Sequence, residues 1–415
     1  THTRSGQATM VDSDGLLKWA PHNLLSYSED FSNGYWGKTA YTVTPNNDIA
    51  PNGTTTANLV STTNGSNSVL MDDGTAFTNI GNYTIKLWAK ANTGGTSLRV
   101  WMWMLGGSAG SSGMTTFNLT NEWQLLEINP TVTSAGQPRI RIDQPSVNGA
   151  SSFYLWGAHA YRSDLGGMVN NPAQSTGFET YVPTTSSAVY LPRVGHHIYN
   201  GSAWVNEGIL HESEARTNLL TYSEDFTHSS WTKTSASISS NASTSPDGSL
   251  SADAIVPTAV NTNHFLASNA TGVTSGQNYS FSVFAKAGTQ DWLRLAATSA
   301  FFVNPNHVWF NLASGTVGTA STGVTAAITD VGNGWYLCEW KAVASANGNP
   351  QFFIVSESGD GTFGYLGNGS EEAIFVWGAQ LEVGSTRSSY IPTSGSTATR
   401  AAETLTVPAA NLPYS

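Results

Sequence analysis

Two short segments in the first half of the chain combine flat aromatic rings and charged groups at the spacing of a β-strand. Residues 99–103 read RVWMW, and residues 139–143 read RIRID. Side chains two positions apart in a strand lie on the same face, roughly 6.6 Å apart. The indoles of Trp101 and Trp103 could therefore stack on the apolar faces of sugar rings, while Arg139, Arg141 and Asp143 hydrogen-bond the sugar hydroxyls.

The alternative to sugar binding is that Trp101 and Trp103 face a neighbouring subunit or the connecting segment, since Trp and Arg are also enriched in protein interfaces. The second half of the chain does not repeat the pattern: residues 294–298 read RLAAT, and QFF at 351–353 replaces the alternating arginines. A sugar site of this kind is therefore expected in the first half, and the second half is expected either to be mainly structural or to use Trp309 instead.

The elements that must position these residues are organised by a duplication. Residues 23–31 (NLLSYSEDF) return at 218–226 as NLLTYSEDF, a shift of 195 residues, and Trp36 and Trp231 follow at the same shift. This period is too long for a solenoid repeat of roughly 20 to 50 residues. It predicts two copies of one domain.

Alternating apolar and polar residues predict strands within each copy. Residues 82–90 place Tyr83, Ile85 and Leu87 on one face, and residues 279–284 repeat the pattern. Widening of the shift to 212 at Trp123 and Trp335, and then to 221 at Trp156 and Trp377, predicts loop insertions near 315–323 and 359–369. With no amphipathic helix evident, we expect an all-β fold of two tandem antiparallel jelly-roll β-sandwiches joined by a short β-rich connector.

The expected boundaries are an N-terminal arm at 1–20, a first jelly-roll module at 21–163, a connector at 164–216, a second module at 217–393 and a C-terminal tail at 394–415. Charged residues make up 11% of the chain and the net charge is −11, which argues against nucleic-acid binding. No apolar run approaches the ~18 residues of a membrane-spanning helix, so membrane insertion is not expected. Cys338 stands alone in a strand-like segment, which favours a buried thiol.

Two acidic pairs, Glu29–Asp30 and Glu224–Asp225, are candidate metal ligands. Adjacent strand residues point to opposite faces, so neither pair can converge as the two facing carboxylates of a glycosidase. The favoured role is local, with the carboxylates accepting backbone N–H groups at the end of a strand. The histidine pair at 196–197 has no supporting ligand at a suitable spacing and is expected at a surface or interface.

The repeated NLLxYSEDF segment resembles a pattern common in tail-fibre, baseplate and other appendage proteins of tailed bacteriophages. So do EART at 214–217, PDG at 246–248, WGAQLE at 377–382 and SYIPT at 389–393. The resemblance covers both modules and the segment between them. It implies a virion protein, synthesised in the host cytoplasm, whose partners are other virion proteins and copies of itself, with a trimer favoured.

Each module also resembles jelly-roll carbohydrate-binding modules, through its acidic–aromatic opening and its central Ala-Lys segment. That resemblance implies glycan binding on the concave sheet and a structural calcium near the first strand, for which Glu29, Asp30, Glu224 and Asp225 are the candidate ligands. His159 and Gln380 depart from the pattern, since they stand where a carboxylate is expected. No other cofactor is implied.

The sequence thus predicts a non-enzymatic phage appendage protein, a tail-fibre, spike or baseplate component, that attaches to host-surface glycan. Two alternatives stay open. One is a purely architectural or decoration protein of the virion that binds no sugar. The other is a set of accessory binding modules of a polysaccharide-degrading enzyme whose catalytic part lies elsewhere.

Overall fold

The computed structural model describes residues 1–63, 68–92, 95–104, 112–133, 137–145, 150–270, 272–303 and 306–407. Over these residues the regular elements are strands, and none is an α-helix. The described part of the chain accordingly holds no helix long and apolar enough to cross a membrane. The chain divides into two compact units: Trp19–Leu191, the first unit, and Thr1–Lys18 together with Pro192–Ser415, the second unit.

The strands up to the end of the first unit are β1 (His2–Thr3), β2 (Thr9–Val11), β3 (Leu17–Trp19), β4 (His22–Asn23), β5 (Gly37–Thr39), β6 (Thr42–Asp48), β7 (Ala57–Thr62), β8 (Val69–Met71), β9 (Gly81–Ala91), β10 (Ser97–Met104), β11 (Ser112–Asn118), β12 (Gln124–Ile128), β13 (Thr131–Val132), β14 (Pro138–Asp143), β15 (Ser151–Arg162) and β16 (Val189–Tyr190).

The strands that follow are β17 (Arg193–Tyr199), β18 (Trp204–Leu210), β19 (Arg216–Asn218), β20 (Trp231–Thr234), β21 (Ala236–Thr244), β22 (Leu250–Pro257), β23 (Asn261–Thr262), β24 (His264–Asn269), β25 (Asn278–Ala287), β26 (Trp292–Ala297), β27 (His307–Asn311), β28 (Thr316–Ala320), β29 (Thr325–Asp330), β30 (Trp335–Val343), β31 (Gln351–Glu357), β32 (Tyr365–Leu366), β33 (Ile374–Val383), β34 (Ala398–Arg400) and β35 (Thr404–Leu405).

Each unit contains two antiparallel sheets with the same strand order. In the first unit these are β11-β10-β14-β8-β5 and β12-β9-β15-β7-β6, and in the second they are β28-β27-β26-β31-β24-β20 and β29-β30-β25-β33-β22-β21. We call the sheets that contain β10 and β26 the platform sheets. The shared order confirms the predicted all-β fold of two tandem jelly-roll sandwiches.

The main insertion in the second unit is built as strand. The shift between the units is 193 residues at Phe117 and Phe310 but 212 at Trp123 and Trp335. The added residues form β28 and β29, and each extends one sheet by an edge strand. The sequence located this insertion but described it as a loop. Its Gly and Thr content hid two short strands that the existing sheet edges stabilise by pairing.

The strand alternation buries a core between the two sheets of each unit. On β9, Tyr83, Ile85 and Leu87 are each 1% exposed, as their predicted shared face requires. On β30, Cys338 is fully buried, which raises the pKa of its thiol well above the usual range. The predicted buried thiol is therefore confirmed, and a raised pKa makes a thiol less reactive.

The repeated segment forms hydrogen bonds with the C-terminal end of each sandwich. The Asn23 side-chain amide donates to the Val182 carbonyl at 2.8 Å, and Asn218 donates to Ile391 at 2.9 Å. Beyond Asn23, which ends β4, the segment is a series of turns, so the strand predicted at its acidic pair is absent. Its side chains are used for hydrogen bonds that close the domain.

This closure explains why the units differ from the expected boundaries. Residues 164–191, assigned to a connector, lie in the first unit because Tyr181-Val182-Pro183-Thr184 packs on its opening segment. Residues 1–18, assigned to an arm, lie in the second unit, where β1 pairs with β35. The rest of the expected connector forms the β17–β18 hairpin. The match between YVPT at 181 and YIPT at 390 was the signal in the sequence.

A buried ion cluster holds the chain ends in the second unit. Glu403 accepts Arg193 Nε at 3.0 Å and Nη2 at 2.9 Å, and it also pairs with Arg4. Glu212 binds Arg193 at 2.7 Å and Arg400 at 3.0 Å. The side chains of Arg4, Arg193 and Glu403 are fully buried. The N-terminal residues are therefore part of the second unit's interior.

Candidate functional site

Strand β10 presents Trp101 and Trp103 on the outer face of the first platform sheet. Leu98, Val100 and Met102 are at most 1% exposed and point into the core. Both tryptophans are part-exposed, as is Arg99 on the same face. The alternation predicted from the sequence is therefore present, and neither indole is sealed in the interior.

Strand β14 brings the predicted polar residues alongside. It pairs with β10 in antiparallel register, so that Trp101 lies opposite Arg141 and Trp103 lies opposite Arg139. Ile140 and Ile142 are 1% exposed and face the core, as expected. Directly paired side chains in a sheet share a face about 5 Å apart. All five residues predicted in the first half thus lie on one sheet face, which we call the platform.

Asp143 organises the platform. Its carboxylate accepts Arg99 Nε at 2.6 Å and Arg141 Nε at 2.7 Å, and the Trp101 indole N–H lies 3.4 Å from it. The Asp143 side chain is only 2% exposed. Asp143 is therefore not free to bind a sugar hydroxyl, contrary to the expectation from the sequence. Its role is to hold two guanidinium groups and one indole in place.

The two predicted arginines are placed differently. The Arg141 guanidinium carbon lies 5.1 Å from the centre of the Trp101 ring, a cation–π distance. The Arg139 side chain lies over Gly74, where an added Cβ would be 2.8 Å from its Nε. That Nε is buried and has no hydrogen-bond partner among the described residues. Arg139 thus forms no ion pair among the described residues, although Asp72 interacts with it electrostatically, and it lies next to Trp103.

The second platform sheet keeps the strands and changes the outward residues. Ala296 lies opposite Phe353, as Trp101 lies opposite Arg141. Leu293 and Leu295 remain fully buried, as their counterparts Leu98 and Val100 are in the first unit. The replacement expected from the sequence therefore falls on structurally equivalent positions, and the second face carries no tryptophan at the place of Trp101.

Trp309 is not a sugar platform, and that prediction is wrong. Trp309 is 1% exposed, and its indole N–H donates to the Thr362 carbonyl at 3.2 Å. Phe363, which is 59% exposed, lies edge-on to its ring at 5.2 Å. The segment after β31 folds over the sheet and closes this face. The sequence identified 359–369 as an insertion but could not show what it covers.

Beneath that segment lies an ion pair that sequence reasoning missed. Arg294 Nε donates to Glu357 at 2.7 Å, and Glu357 also accepts the Gly364 N–H at 2.9 Å. The Arg294 guanidinium stacks 5.0 Å from the Phe363 ring and 5.6 Å from Trp309. Arg294 aligns with Arg99 at the 195-residue shift, which was the available signal. The partner of Arg294, Glu357, lies two residues further along β31 than Asp143 lies along the equivalent strand β14.

The two acidic pairs serve local structure. The oxygens of Asp30 and Asp225 accept the backbone N–H of Ser32 and Thr227, each at 3.0 Å. Glu29 accepts the Tyr181 hydroxyl at 3.0 Å.

The equivalent bond from Tyr390 to Glu224 is 2.8 Å long. The contacts of Asp30 and Asp225 match the predicted binding of backbone N–H groups, whereas Glu29 and Glu224 bind tyrosine hydroxyls. The pairs lie in turns rather than in strands.

His159 and Gln380 fill the positions where the calcium-binding pattern expects a carboxylate. Burial lowers the pKa of His159 to about 4, so its ring is neutral, and Nε2 lies 3.0 Å from the His22 carbonyl. The Gln380 amide binds the Ser389 carbonyl at 3.3 Å and the Ile391 N–H at 2.6 Å. Within the described ranges, no three His, Cys, Asp or Glu residues are grouped so that they could hold a metal. A structural calcium remains only an expectation from the resemblance.

His196 and His197 lie on β17, within the second unit. His196 Nδ1 accepts the Val11 N–H at 3.1 Å, and burial followed by the nearby Arg193 lowers its pKa to about 4. His197 Nδ1 lies 2.8 Å from the Gly195 carbonyl. The pair supports the hairpin rather than converging on one point.

Comparison with known proteins gives only distant similarity. No protein-family model matches the chain, and no curated protein does. Among solved structures, it is similar to the tandem CBM22-1–CBM22-2 domain of Paenibacillus barcinonensis Xyn10C. That match has 11% identity, covers 88% of this chain and 98% of the other, and has a TM-score of 0.32.

Two further structures are similar to single modules. The CBM22-1–GH10 modules of Clostridium thermocellum endo-1,4-beta-D-xylanase 10B, solved with xylohexaose, match over 34% of this chain and 28% of their own length. Identity is 15% and the TM-score is 0.27. TmCBM61 in complex with beta-1,4-galactotriose matches over 34% and 98%, at 15% identity and a TM-score of 0.26. Because these TM-scores are below 0.5, the fold assignment rests on the strand order and the site on its own residues.

Proposed function

We propose that the chain is a non-catalytic glycan-binding protein and that the platform of the first unit is its sugar-binding surface. The observation that carries the proposal is the part-exposed pair Trp101 and Trp103 on an outer sheet face, flanked in register by Arg141 and Arg139. Each indole offers a flat apolar surface for a pyranose ring, and each guanidinium offers several hydrogen-bond donors to ring substituents.

Preorganisation supports this proposal. The Trp101 indole and the Arg141 guanidinium are both oriented by Asp143, so little side-chain freedom is lost when a ligand arrives. Binding to groups that are already fixed avoids roughly 0.5–1.5 kcal/mol per ordered side chain. Sugar sites on an open sheet face are individually weak, and this saving increases the affinity that remains.

We further propose that the protein is a virion appendage component of a tailed phage that attaches to host-surface glycan. This setting rests on the repeated NLLxYSEDF segment and its companion motifs, which resemble such proteins across both units. Its partners would then be other virion proteins and copies of the same chain, with a trimer favoured. Several weak sites on one particle act together, raising avidity by two to four orders of magnitude.

The same platform would serve a binding module attached to a polysaccharide-degrading enzyme. The two settings differ in what surrounds the chain, not in the chemistry of the platform. Immunogold labelling of purified phage particles with antibody against the chain separates them. The phage setting predicts label on the tail or baseplate, and its absence from particles would favour the accessory-module setting.

A purely architectural function is the second candidate, and the β17–β18 hairpin is the observation that favours it. Its paired residues Val194 and Ile209, and Ile198 and Val205, are between 38% and 46% exposed. Exposed apolar side chains on a two-stranded hairpin are typical of protein contacts.

A glycan array tests the main proposal against this alternative. We expect the intact protein to bind a subset of glycans and the Trp101→Ala variant to lose at least tenfold in apparent affinity. If the intact oligomer binds neither the array nor host cells, the architectural function is the one that stands.

A further inference from the structure

Arginines elsewhere in the chain are matched by carboxylates. Nine of the ten have a carboxylate oxygen within 4.0 Å, and outside the platform six carboxylates serve seven arginines. The seven are Arg4, Arg162, Arg193, Arg216, Arg294, Arg387 and Arg400. In a chain with a net charge of −11, a near balance of guanidinium and carboxylate groups is therefore the rule outside the platform, even in the buried cluster, where Arg4, Arg193 and Arg400 share Glu212 and Glu403.

The platform departs from this rule. Arg99 and Arg141 share the single carboxylate of Asp143. Arg139 forms no ion pair within the described part of the chain, and its Nε has no hydrogen-bond partner there. Three guanidinium groups and one carboxylate give the platform a formal charge of +2.

Other acidic groups near the platform form no ion pair with its arginines among the described residues, although Asp72 interacts electrostatically with Arg139. Asp72 is 1% exposed, and its oxygens accept the N–H groups of Ile140 and Gly74. Asp73 accepts the Thr75 N–H in the turn that follows β8. The stretches 64–67, 105–111, 134–136 and 146–149, which lie outside the described residues, contain no charged residue.

A cationic patch on an acidic protein has a physical consequence. The net charge of −11 repels a polyanion at long range, whereas a local excess of positive charge favours an acidic group that reaches the platform. A guanidinium recognises carboxylate or sulfate through paired N–H donors, at roughly twice the strength of a neutral hydrogen bond. The indoles meanwhile supply stacking that does not depend on charge.

We infer that the platform selects glycans bearing acidic groups, with Trp101 and Trp103 stacking on sugar rings and Arg139 and Arg141 binding a carboxylate or sulfate substituent. Arg139 is the specificity-determining residue, since Arg141 is already shared with Asp143. This inference rests on the proposed glycan-binding function and names the class of glycan.

The experiment uses the full chain on an array of carboxylated, sulfated and neutral glycans, followed by titration of the strongest acidic one. The same glycan, methyl-esterified or desulfated, is titrated in parallel. We expect at least tenfold weaker binding of the neutralised glycan and a steady loss of affinity as NaCl rises. Arg139→Gln should lose about tenfold on the acidic form only, and Arg139→Lys should recover part of that loss.

Lys86→Gln is the matched control, because it removes one positive charge from the other sheet of the same unit. It should leave affinity unchanged. Equal binding of acidic and neutralised glycan, or exclusive binding of neutral glycans, overturns the inference while the glycan-binding function stands. No binding to any glycan overturns both. The neutralised glycan needs no variant to fold, so the test does not depend on Arg139→Gln being stable.

Discussion

The two platform sheets share strand order and inward residues but differ on their outer faces. In the first unit the face is open, with part-exposed Trp101 opposite Arg141. In the second unit Ala296 and Phe353 hold those positions, and Phe363 lies over Arg294 and Trp309. An arginine at the same position of β10 and β26 therefore lies on an exposed face in one unit and under a covering segment in the other.

This difference separates what packing fixes from what it leaves free. Inward residues such as Leu98 and Leu293 must fill a dense core, so both copies retain them. Outward residues are constrained only by what they contact. In the first unit they are available for a ligand, and in the second an insertion has converted the same surface into additional interior.

The largest expected contrast comes from truncating one tryptophan in each unit. Trp309→Ala should lower the free energy of unfolding of the second unit by about 3–5 kcal/mol, because a fully buried indole leaves a cavity. Trp101→Ala should cost the first unit less than about 1.5 kcal/mol, because that ring is part-exposed. Calorimetric unfolding of both variants checks this, and equal losses would show that the two faces do not differ.

A smaller contrast is expected from the two ion pairs. Glu357→Gln should destabilise the second unit by about 3 kcal/mol, since it leaves the Arg294 charge buried without its partner. Asp143→Asn should cost the first unit about 1 kcal/mol, because Arg99 and Arg141 are 29% and 26% exposed and water can solvate them. Chemical denaturation measures both. A larger loss in Asp143→Asn would mean that the platform is structural first.

Acidification should distinguish the units further. Burial opposes ionisation of Glu403, but Arg193 and Arg4 outweigh it and lower its pKa from 4.5 to about 2. Burial lowers the pKa of His196 from 6.5 to about 4. Both groups bind protons more readily when unfolded. The stability they contribute is therefore present above pH 6.5, falls first through His196 and then through Glu403, and is lost near pH 2.

In the first unit, two groups with opposite effects offset one another. Burial raises the pKa of Asp72 from 3.8 to about 7, so Asp72 stabilises the folded state as pH falls. Burial lowers the pKa of His159 to about 4, so His159 destabilises the folded state as pH falls. We expect a flatter pH profile for this unit between pH 7 and 4. Melting temperatures between pH 7 and about 2 test the contrast, with Glu403→Gln as the variant that should flatten the second unit's profile below pH 4.5.

The smallest effect is expected from opening the second face. Phe363 is 59% exposed, so Phe363→Ala should cost less than about 1 kcal/mol and leave Trp309 buried under the remaining segment. Quenching of tryptophan fluorescence by acrylamide reports any new exposure. A marked increase in quenching would mean that Phe363 alone keeps this face closed.

Much of the fold could be predicted because strand alternation and the duplication are local signals. The faces of β9, β10 and β14 follow directly from which residues are apolar. Which strands pair, and in what register, is set by long-range packing that a single sequence does not display. The β10–β14 pairing makes Trp101 and Arg141 neighbours, and the sequence alone does not show that pairing.

The failures share one physical cause, which is that burial depends on segments distant in sequence. Trp309 was expected at a surface, yet it is covered by a segment more than fifty residues away. Asp143 was expected to bind hydroxyls, but the register places it between two arginines. Residues 1–18 were read as an arm because their partner strand, β35, lies near the other end of the chain.

The most direct test of the account follows the indole N–H signals of the fourteen tryptophans in an NMR titration with the tightest-binding glycan from the array. The signals of Trp101 and Trp103, identified by Trp→Phe substitution, should shift on addition of the glycan, and that of Trp309 should stay in place. A bound glycan that leaves both platform signals unmoved would contradict the account.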